Sequence, residues 1–301
     1  MSELLTLGRS VGDALARDLP IVALESALVT HGFAYPANLN ITRAMAEAIR
    51  AQGAVPAPVG VWEGAPVIGL TDAQLSDLAT DATVTKVSVR DLPLVRLRGT
   101  HGGTTVAATA YLAQRAGIRV FATGGIGGVH RGHPEDVSAD LPILASTPII
   151  VVCAGAKSIL DLPRTLETLE TWGVPVIGWQ TDEFPAFYSR RSGLKVDLSV
   201  SDPAEVVAIF NAQRSLGLLQ AVLVTVPVPI ADEIPAEMVE PLIQQAVAEA
   251  DAEGVGGRDL TPTILARMVD LSDARTRQAN ESLLIQNADV AAQIAVALAQ
   301  S

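Results

Sequence analysis

The residues between Ala122 and Asp161 gather three kinds of chemistry on one stretch of chain. A glycine-rich run comes first: Thr123-Gly124-Gly125-Ile126-Gly127-Gly128-Val129-His130-Arg131-Gly132. Glycines after a strand let backbone N–H groups approach phosphate oxygens without Cβ interference. His130 and Arg131 add side-chain donors, and a guanidinium suits two-pronged phosphate contact. The run does not match the dinucleotide fingerprint, because the last glycine spacing is missing and no acid follows in a βαβ position. A plain sharp turn would use the same glycines. Asp136 and Asp140 then flank Ser138. Hard cations take one or two carboxylates plus water, and the competing use of Asp136 or Ser138 is as a helix N-cap.

Lys157 follows an apolar segment, Pro148 to Cys153, through Ala154-Gly155-Ala156, and Ser158-Ile159-Leu160 reads as a helix start. The partial positive charge of a helix N-terminus and an apolar setting both favour the free amine. A neutral lysine can attack the C1 aldehyde of an opened sugar and form a Schiff base. Anion binding is the alternative use of a lysine so placed. The remaining lysines are Lys86, within Thr85-Lys86-Val87-Ser88, and Lys195. Lys86 suits either a ligand site at a strand end or the guarding of an edge strand.

Glu25 closes the apolar segment Val22-Ala23-Leu24. Partial desolvation there would raise its pKa towards general-acid use, and an ion pair with an arginine is the competing role. His31 follows, placed to orient a carboxylate or to cap a turn. Asn280 and Asn287 lie along the last helical segment; amides can read a heterocycle edge, or act as caps. Cys153 is the only cysteine. It excludes an internal disulfide framework, and its apolar setting reads as packing.

These residues need a scaffold of alternating elements, and the pattern supplies one. Strands are expected at 22–24, 83–89, 119–122, 148–153, 174–179 and 221–226, with a hairpin at 57–70 turning at Glu63-Gly64. Helices are expected at 42–52, from Thr71-Asp72, and at 104–116, 162–172, 204–216, 236–253, 261–270 and 281–300. The alternation argues for an α/β layered fold with a largely parallel sheet. No repeat or linker divides residues 1–301, so a single domain is expected. The Ala-rich stretch from 288 to 299 suits either a subunit contact or a helix buried in the monomer.

The chain has 301 residues, 49% of them hydrophobic, enough for a large core. A net charge of -12 argues against general nucleic-acid binding. No uninterrupted apolar run reaches the ~18 residues of a membrane helix, and the first residues show no basic, cleavable leader pattern. A cytosolic protein is expected.

Taken together, the segments 22–26, His31-Gly32, 86–93, 103–106, 121–132, 138–141 and 151–161 resemble the pseudouridine-5'-phosphate glycosidase family, also called indigoidine synthase A-like. The resemblance runs from about residue 8 to the C-terminus. It implies a three-layer α/β/α fold, a homotrimer, a divalent cation (usually Mn²⁺), and reversible cleavage of the C–C bond joining C1 of ribose 5-phosphate to uracil. Carried onto this chain, Lys157 would be the Schiff-base nucleophile, Glu25 the proton donor and Asp136 the metal ligand. Lys86, Val106, Ser138, Ala139 and Asp140 would contact substrate, Thr123 and His130 would lie in the phosphate region, and Asn280 would face the base.

Two positions depart from the family's usual pattern. Ala27 stands where Thr is common and Val226 where Asn is common. If both face the pocket, it is more apolar, and a uracil site built on hydrogen bonds would suffer. An aromatic carbon nucleophile would not, which makes a C-glycosynthase that joins ribose 5-phosphate to an aromatic polyketide, as in alnumycin biosynthesis, the rival to the glycosidase. Asn280 favours uracil. A non-catalytic phosphosugar-binding protein is the third reading, opposed by the joint presence of Glu25, Lys86, Asp136 and Lys157.

Overall fold

In a computed structural model, which describes residues 5–256, 260–272 and 274–301, the chain folds as one α/β/α sandwich. The leader-pattern reading of residues 1–4 lies outside the described residues. The strands are β1 (Thr6–Leu7), β2 (Ile21–Leu24), β3 (Val55–Trp62), β4 (Ala65–Ile68), β5 (Thr85–Val87), β6 (Gly102–Thr104), β7 (Val120–Ala122), β8 (Val129–His130), β9 (His133–Val137), β10 (Ile150–Cys153), β11 (Leu160–Asp161), β12 (Val176–Trp179), β13 (Leu198–Val200) and β14 (Val222–Thr225). The helices are α1 (Arg9–Leu15), α2 (Ala37–Ala51), α3 (Asp72–Thr80), α4 (Leu92–Arg98), α5 (Val106–Arg115), α6 (Asp140–Leu144), α7 (Leu162–Thr171), α8 (Pro203–Ser215), α9 (Ala236–Ala252), α10 (Leu260–Leu271) and α11 (Arg275–Ala299).

The main sheet runs β1-β4-β3-β2-β7-β10-β14-β12-β13, with β5 and β6 beside β3. Strands β3, β2, β7, β10, β14, β12 and β13 are parallel; β4 and β6 join β3 antiparallel. Every residue of β2, β7, β10 and β14 is buried. That is why these strands read as unbroken apolar runs rather than alternating ones. Helix α11, with α2 and α8, packs over β2, β7 and β10, and α5, with α6, packs over β2, β3 and β7. The hairpin turn at Glu63 and Gly64 has positive φ at both residues (49° and 76°), the geometry that suits the right-handed twist of paired strands.

Helix α11 is long and apolar enough to cross a membrane by length and composition, alone among the described helices, although no uninterrupted apolar run was evident. Its apolar side lies against the sheet: Ala288, Ala291, Ala292, Ala295 and Ile294 are buried. Of the two uses left open for this Ala-rich stretch, the monomer core takes it.

Three local expectations change. The strand expected over 83–89 is confined to β5, after which Ser88 caps a short 3-10 turn at Val89–Asp91. No helix starts at Ser158: the chain turns, forms β11, and enters α7 only at Leu162. Asp161 caps that helix by accepting from the Arg164 N–H, and Pro163 suits its first turn. The glycine-rich run contains β8, which pairs antiparallel with β9 and with β11 as a second, three-stranded sheet.

Candidate active site

Glu25, Thr123 and Lys157 come off the carboxyl ends of three neighbouring parallel strands, β2, β7 and β10. Chain order reverses here, because β3 lies on one side of β2 and β7 on the other. Such switch points leave a crevice beyond the strand ends where α/β proteins bind ligands. A cavity of about 450 Å³ opens there, within the range of small-ligand sites. A π-helical turn, Leu28–Gly32, follows Glu25 and puts Ala27, Leu28 and His31 on the wall.

Glu25 lines this cavity with a raised pKa. Burial pushes its pKa above the ordinary value, outweighing the Lys157 ammonium and a hydrogen bond donated by the Thr123 hydroxyl, both of which favour the carboxylate. Asp140 adds to the rise and Lys86 opposes it. The charged partners of Glu25 are thus lysines, not the arginine considered from sequence. Lys157 donates from Nζ to the Gly125 carbonyl at 2.6 Å, and its backbone N–H bonds the Ile126 carbonyl at 3.1 Å. With no helix starting at Ser158, the helix-dipole argument for this lysine does not apply; its surroundings are the Gly125 carbonyl and the Glu25 carboxyl.

Four N–H groups of the glycine-rich run are taken up by the protein itself, while Gly124, Gly125 and Gly127 line the cavity. The N–H groups of Thr123, Ile126, Gly127 and Val129 bond Val152 O, Gly155 O, Asp140 Oδ2 and Thr165 Oγ1. Glycine is required at 127 because a Cβ there would overlap the Ser138 hydroxyl. Arg131 is turned away from the cavity and bonds Ser158 O, Leu160 O and Glu240.

Lys86, Val106, His130, Asp136, Ser138, Ala139, Asp140 and Asn280 all line the cavity. Three residues have placements or partners that the sequence does not show. Thr123 is fully buried behind Glu25 rather than on the wall. Asp140 accepts the Ala107 N–H at 2.9 Å and the Gly127 N–H at 2.7 Å, so its carboxylate ties α5 to the glycine loop. Val226 is fully buried in the core off the cavity wall, its N–H on Cys153 O, whereas Ala27 does face the cavity. Asn287 is also fully buried and donates to the Thr123 and Gly124 carbonyls, so it does not read a ligand.

Arg90, Phe187, Leu265 and Leu284 line the cavity without having been singled out. Arg90 was legible within the segment 86–93; the apolar three lie far apart in sequence and carry no local signal. Lys195 pairs with Asp182 on the surface at 2.6 Å. Cys153 is fully buried, and burial pushes its thiol up to about 12, which favours the inert thiol over the thiolate.

Among the described residues no three His, Cys, Asp or Glu side chains cluster as a metal cage. Asp136 sits on β9 rather than capping a helix, and His130 on the paired strand β8. Burial lowers the His130 pKa against the pull of Asp136, favouring the neutral imidazole. One cavity-facing carboxylate with a neutral imidazole nearby fits a Mg²⁺- or Mn²⁺-type ion that keeps most of its ligands as water or substrate oxygen.

The family model described as "Indigoidine synthase A like protein" matches residues 10–297. A pseudouridine-5'-phosphate glycosidase of Methylobacterium nodulans is 53% identical over 297 residues, spanning 98% of this chain and 88% of that protein. One of Caldanaerobacter subterraneus is 47% identical over 99% of this chain and 98% of its own length. Among solved structures, the prealnumycin C-glycosynthase AlnA in complex with ribulose 5-phosphate superposes with a TM-score of 0.92 at 37% identity, covering 100% of this chain and 98% of AlnA. An indigoidine synthase A-like protein of Thermotoga maritima gives 0.91 at 34% identity, over 98% of this chain and 97% of its own.

Proposed function

The chain belongs to the indigoidine synthase A-like family, and on that premise we propose that it is an enzyme that cleaves, reversibly, the C–C bond between C1 of ribose 5-phosphate and uracil in pseudouridine 5'-phosphate. The observation that carries this reading is the pairing of Lys157 with a Glu25 of raised pKa at one cavity. A C-glycosidic bond has no leaving oxygen to protonate. It needs an electron sink at C1 and a proton for the departing carbon.

Lys157 attacks C1 as the free amine; the N–C1 bond forms, the bond from C1 to the ring oxygen breaks, and the proton shed by the nitrogen passes to that oxygen, which restores the nitrogen lone pair. The C1–C5 bond then breaks. Nitrogen's lone pair forms the C1 iminium, the bond's electrons pass to the uracil ring, and Glu25 protonates C5. Water hydrolyses the iminium, returning the lysine and releasing ribose 5-phosphate. A group with a pKa raised by burial keeps its proton nearer neutrality, which is what the acid role asks of Glu25.

The cations Lys86 and Arg90, with Ser88, form the face suited to the 5-phosphate, and Asn280 suits the base. Asp136 would hold Mn²⁺, which supplies charge neutralisation for oxyanions when bound. A homotrimer in the cytosol belongs to the same proposal.

A second reading has one observation behind it: Ala27 faces the cavity beside Leu28, and Phe187, Leu265 and Leu284 supply further apolar wall. It assigns an aromatic aglycone and C-glycoside synthesis. Val226, off the wall, no longer supports it.

The test is uracil release from pseudouridine 5'-phosphate with Mn²⁺ and with a chelated control. Metal-dependent release, lost in Lys157→Ala, is expected. No release, with Lys157 still trapping ribose 5-phosphate under borohydride, would replace uracil by an aromatic aglycone. No release and no adduct would overturn the lysine chemistry.

A further inference from the structure

We infer that Arg131 is a positioning residue for Lys157, stapling the turn behind the lysine to the hairpin that carries His130 and Asp136 and, through Glu240, to the helix pair beside the cavity. The inference rests on the lysine chemistry proposed above and adds a residue to it.

The turn that follows Lys157 has little to hold it locally. The Leu160 N–H bonds the Lys157 carbonyl at 3.0 Å, but the Ser158 hydroxyl is buried with no partner among the described residues. Ser158 and Leu160 are 3% and 1% exposed, so their carbonyls need protein partners. Arg131 supplies both: Nη2 donates to Ser158 O at 2.8 Å and Nε to Leu160 O at 3.0 Å. The bonds run across the junction of β11 and β8, whose register pairs Leu160 with His130, the residue before Arg131. The third donor, Nη1, meets Glu240 Oε1 on α9 at 2.6 Å.

The geometry has a direct consequence for the reacting amine. Lys157 Nζ sits on the Gly125 carbonyl, six residues before Arg131 in the same glycine-rich run. Its backbone is held before the side chain by Ile126 and after it by the stapled turn. Helix α9 packs on α10, whose Thr261, Pro262 and Leu265 line the cavity, so the Glu240 link joins that wall to the lysine's turn. An arginine is suited to this task because its planar fork makes three directed bonds at once; a lysine ammonium is a single point charge.

The experiment compares wild type, Arg131→Gln, Arg131→Lys and Glu240→Gln. It measures kcat and KM on pseudouridine 5'-phosphate and the rate at which borohydride traps ribose 5-phosphate on Lys157, located by peptide mass. Misplacing a reacting group by about 1 Å can cost up to about 100-fold. Arg131→Gln should therefore slow kcat and trapping in parallel by about 10- to 100-fold, with KM within about threefold of wild type. Arg131→Lys should recover part of the loss. Glu240→Gln keeps both carbonyl bonds and should lose less than Arg131→Gln. Unchanged trapping in Arg131→Gln overturns the inference, as does an equal loss in Glu240→Gln, or a loss confined to KM. Wild type that traps no adduct overturns the lysine chemistry and this inference with it; wild type that traps while Arg131→Gln matches it overturns the inference alone.

Discussion

The Thr123 hydroxyl donates to the Glu25 carboxyl across the junction of β7 and β2, from a position wholly inside the protein. This bond favours the ionised form and so restrains the rise that burial imposes on Glu25. Thr123 is itself set by its own N–H on Val152 O and by Asn287, which holds its carbonyl at 2.8 Å.

Replacing Thr123 by Val removes the hydroxyl and keeps the shape. Glu25 then holds its proton to higher pH. With Glu25 as the proposed acid, activity declines as pH rises through its pKa, so the alkaline limb of kcat/KM should move to higher pH. The lost orientation should also lower kcat, by about tenfold for ~1.4 kcal/mol. A pH profile of uracil release checks both, and an unmoved limb would argue against Glu25 as the acid.

Glu25→Gln should separate activity from stability. The folded protein binds the Glu25 proton more tightly than the unfolded chain does, since its pKa is raised above 4.5. The associated stability is fully present below about pH 4.5 and is lost as pH rises through the folded pKa. Gln stays neutral throughout. The variant should lose at least about 100-fold in kcat, yet melt higher than wild type at pH 8, with the gap closing towards pH 4.5. Thermal melts at the two pH values decide it; a lower melting temperature at pH 8 would mean that the buried carboxyl is not under strain.

Ala27→Thr and Val226→Asn should behave oppositely, although sequence groups them together. The first adds a hydroxyl at the cavity wall and should lower KM for pseudouridine 5'-phosphate. The second buries an amide in a fully enclosed site and should cost about 1–3 kcal/mol of stability, without improving uracil release. Kinetics and melting curves on the two single variants provide the comparison; a clear gain of activity in Val226→Asn would contradict the placement of that side chain.

Asp136→Asn removes the cavity-facing carboxylate of β9. The Mn²⁺ concentration for half-maximal uracil release should rise at least about tenfold, and calorimetric Mn²⁺ binding should weaken in step. Equal Mn²⁺ dependence in variant and wild type would place the ion elsewhere.

The alternation of apolar runs and helical segments made the layered α/β fold readable, because strands buried on both faces must be apolar throughout. Glu25 and Lys157 were readable as chemistry because each stands at the end of such a run, and in a parallel sheet strand ends converge on one crevice. The helix expected at Ser158 failed because Leu160 and Asp161 pair with His130 and Val129 as β11, a long-range contact that propensity does not register.

The assignment of tasks within the site was decided only in three dimensions. Arg131 and Thr123 looked like ligand groups, but the 158–160 carbonyls and Glu25 take them up, while Asp140, on the cavity wall, also holds the Ala107 and Gly127 N–H groups. A polar residue near a motif serves ligand or protein according to which unsatisfied backbone groups the fold brings beside it. Ala27 and Val226 make the same point for apolar positions. Residue type and spacing located both near the strand ends. Only the π-helical turn after β2 directs the first to the cavity, while the bond of Val226 to β10 holds the second in the core.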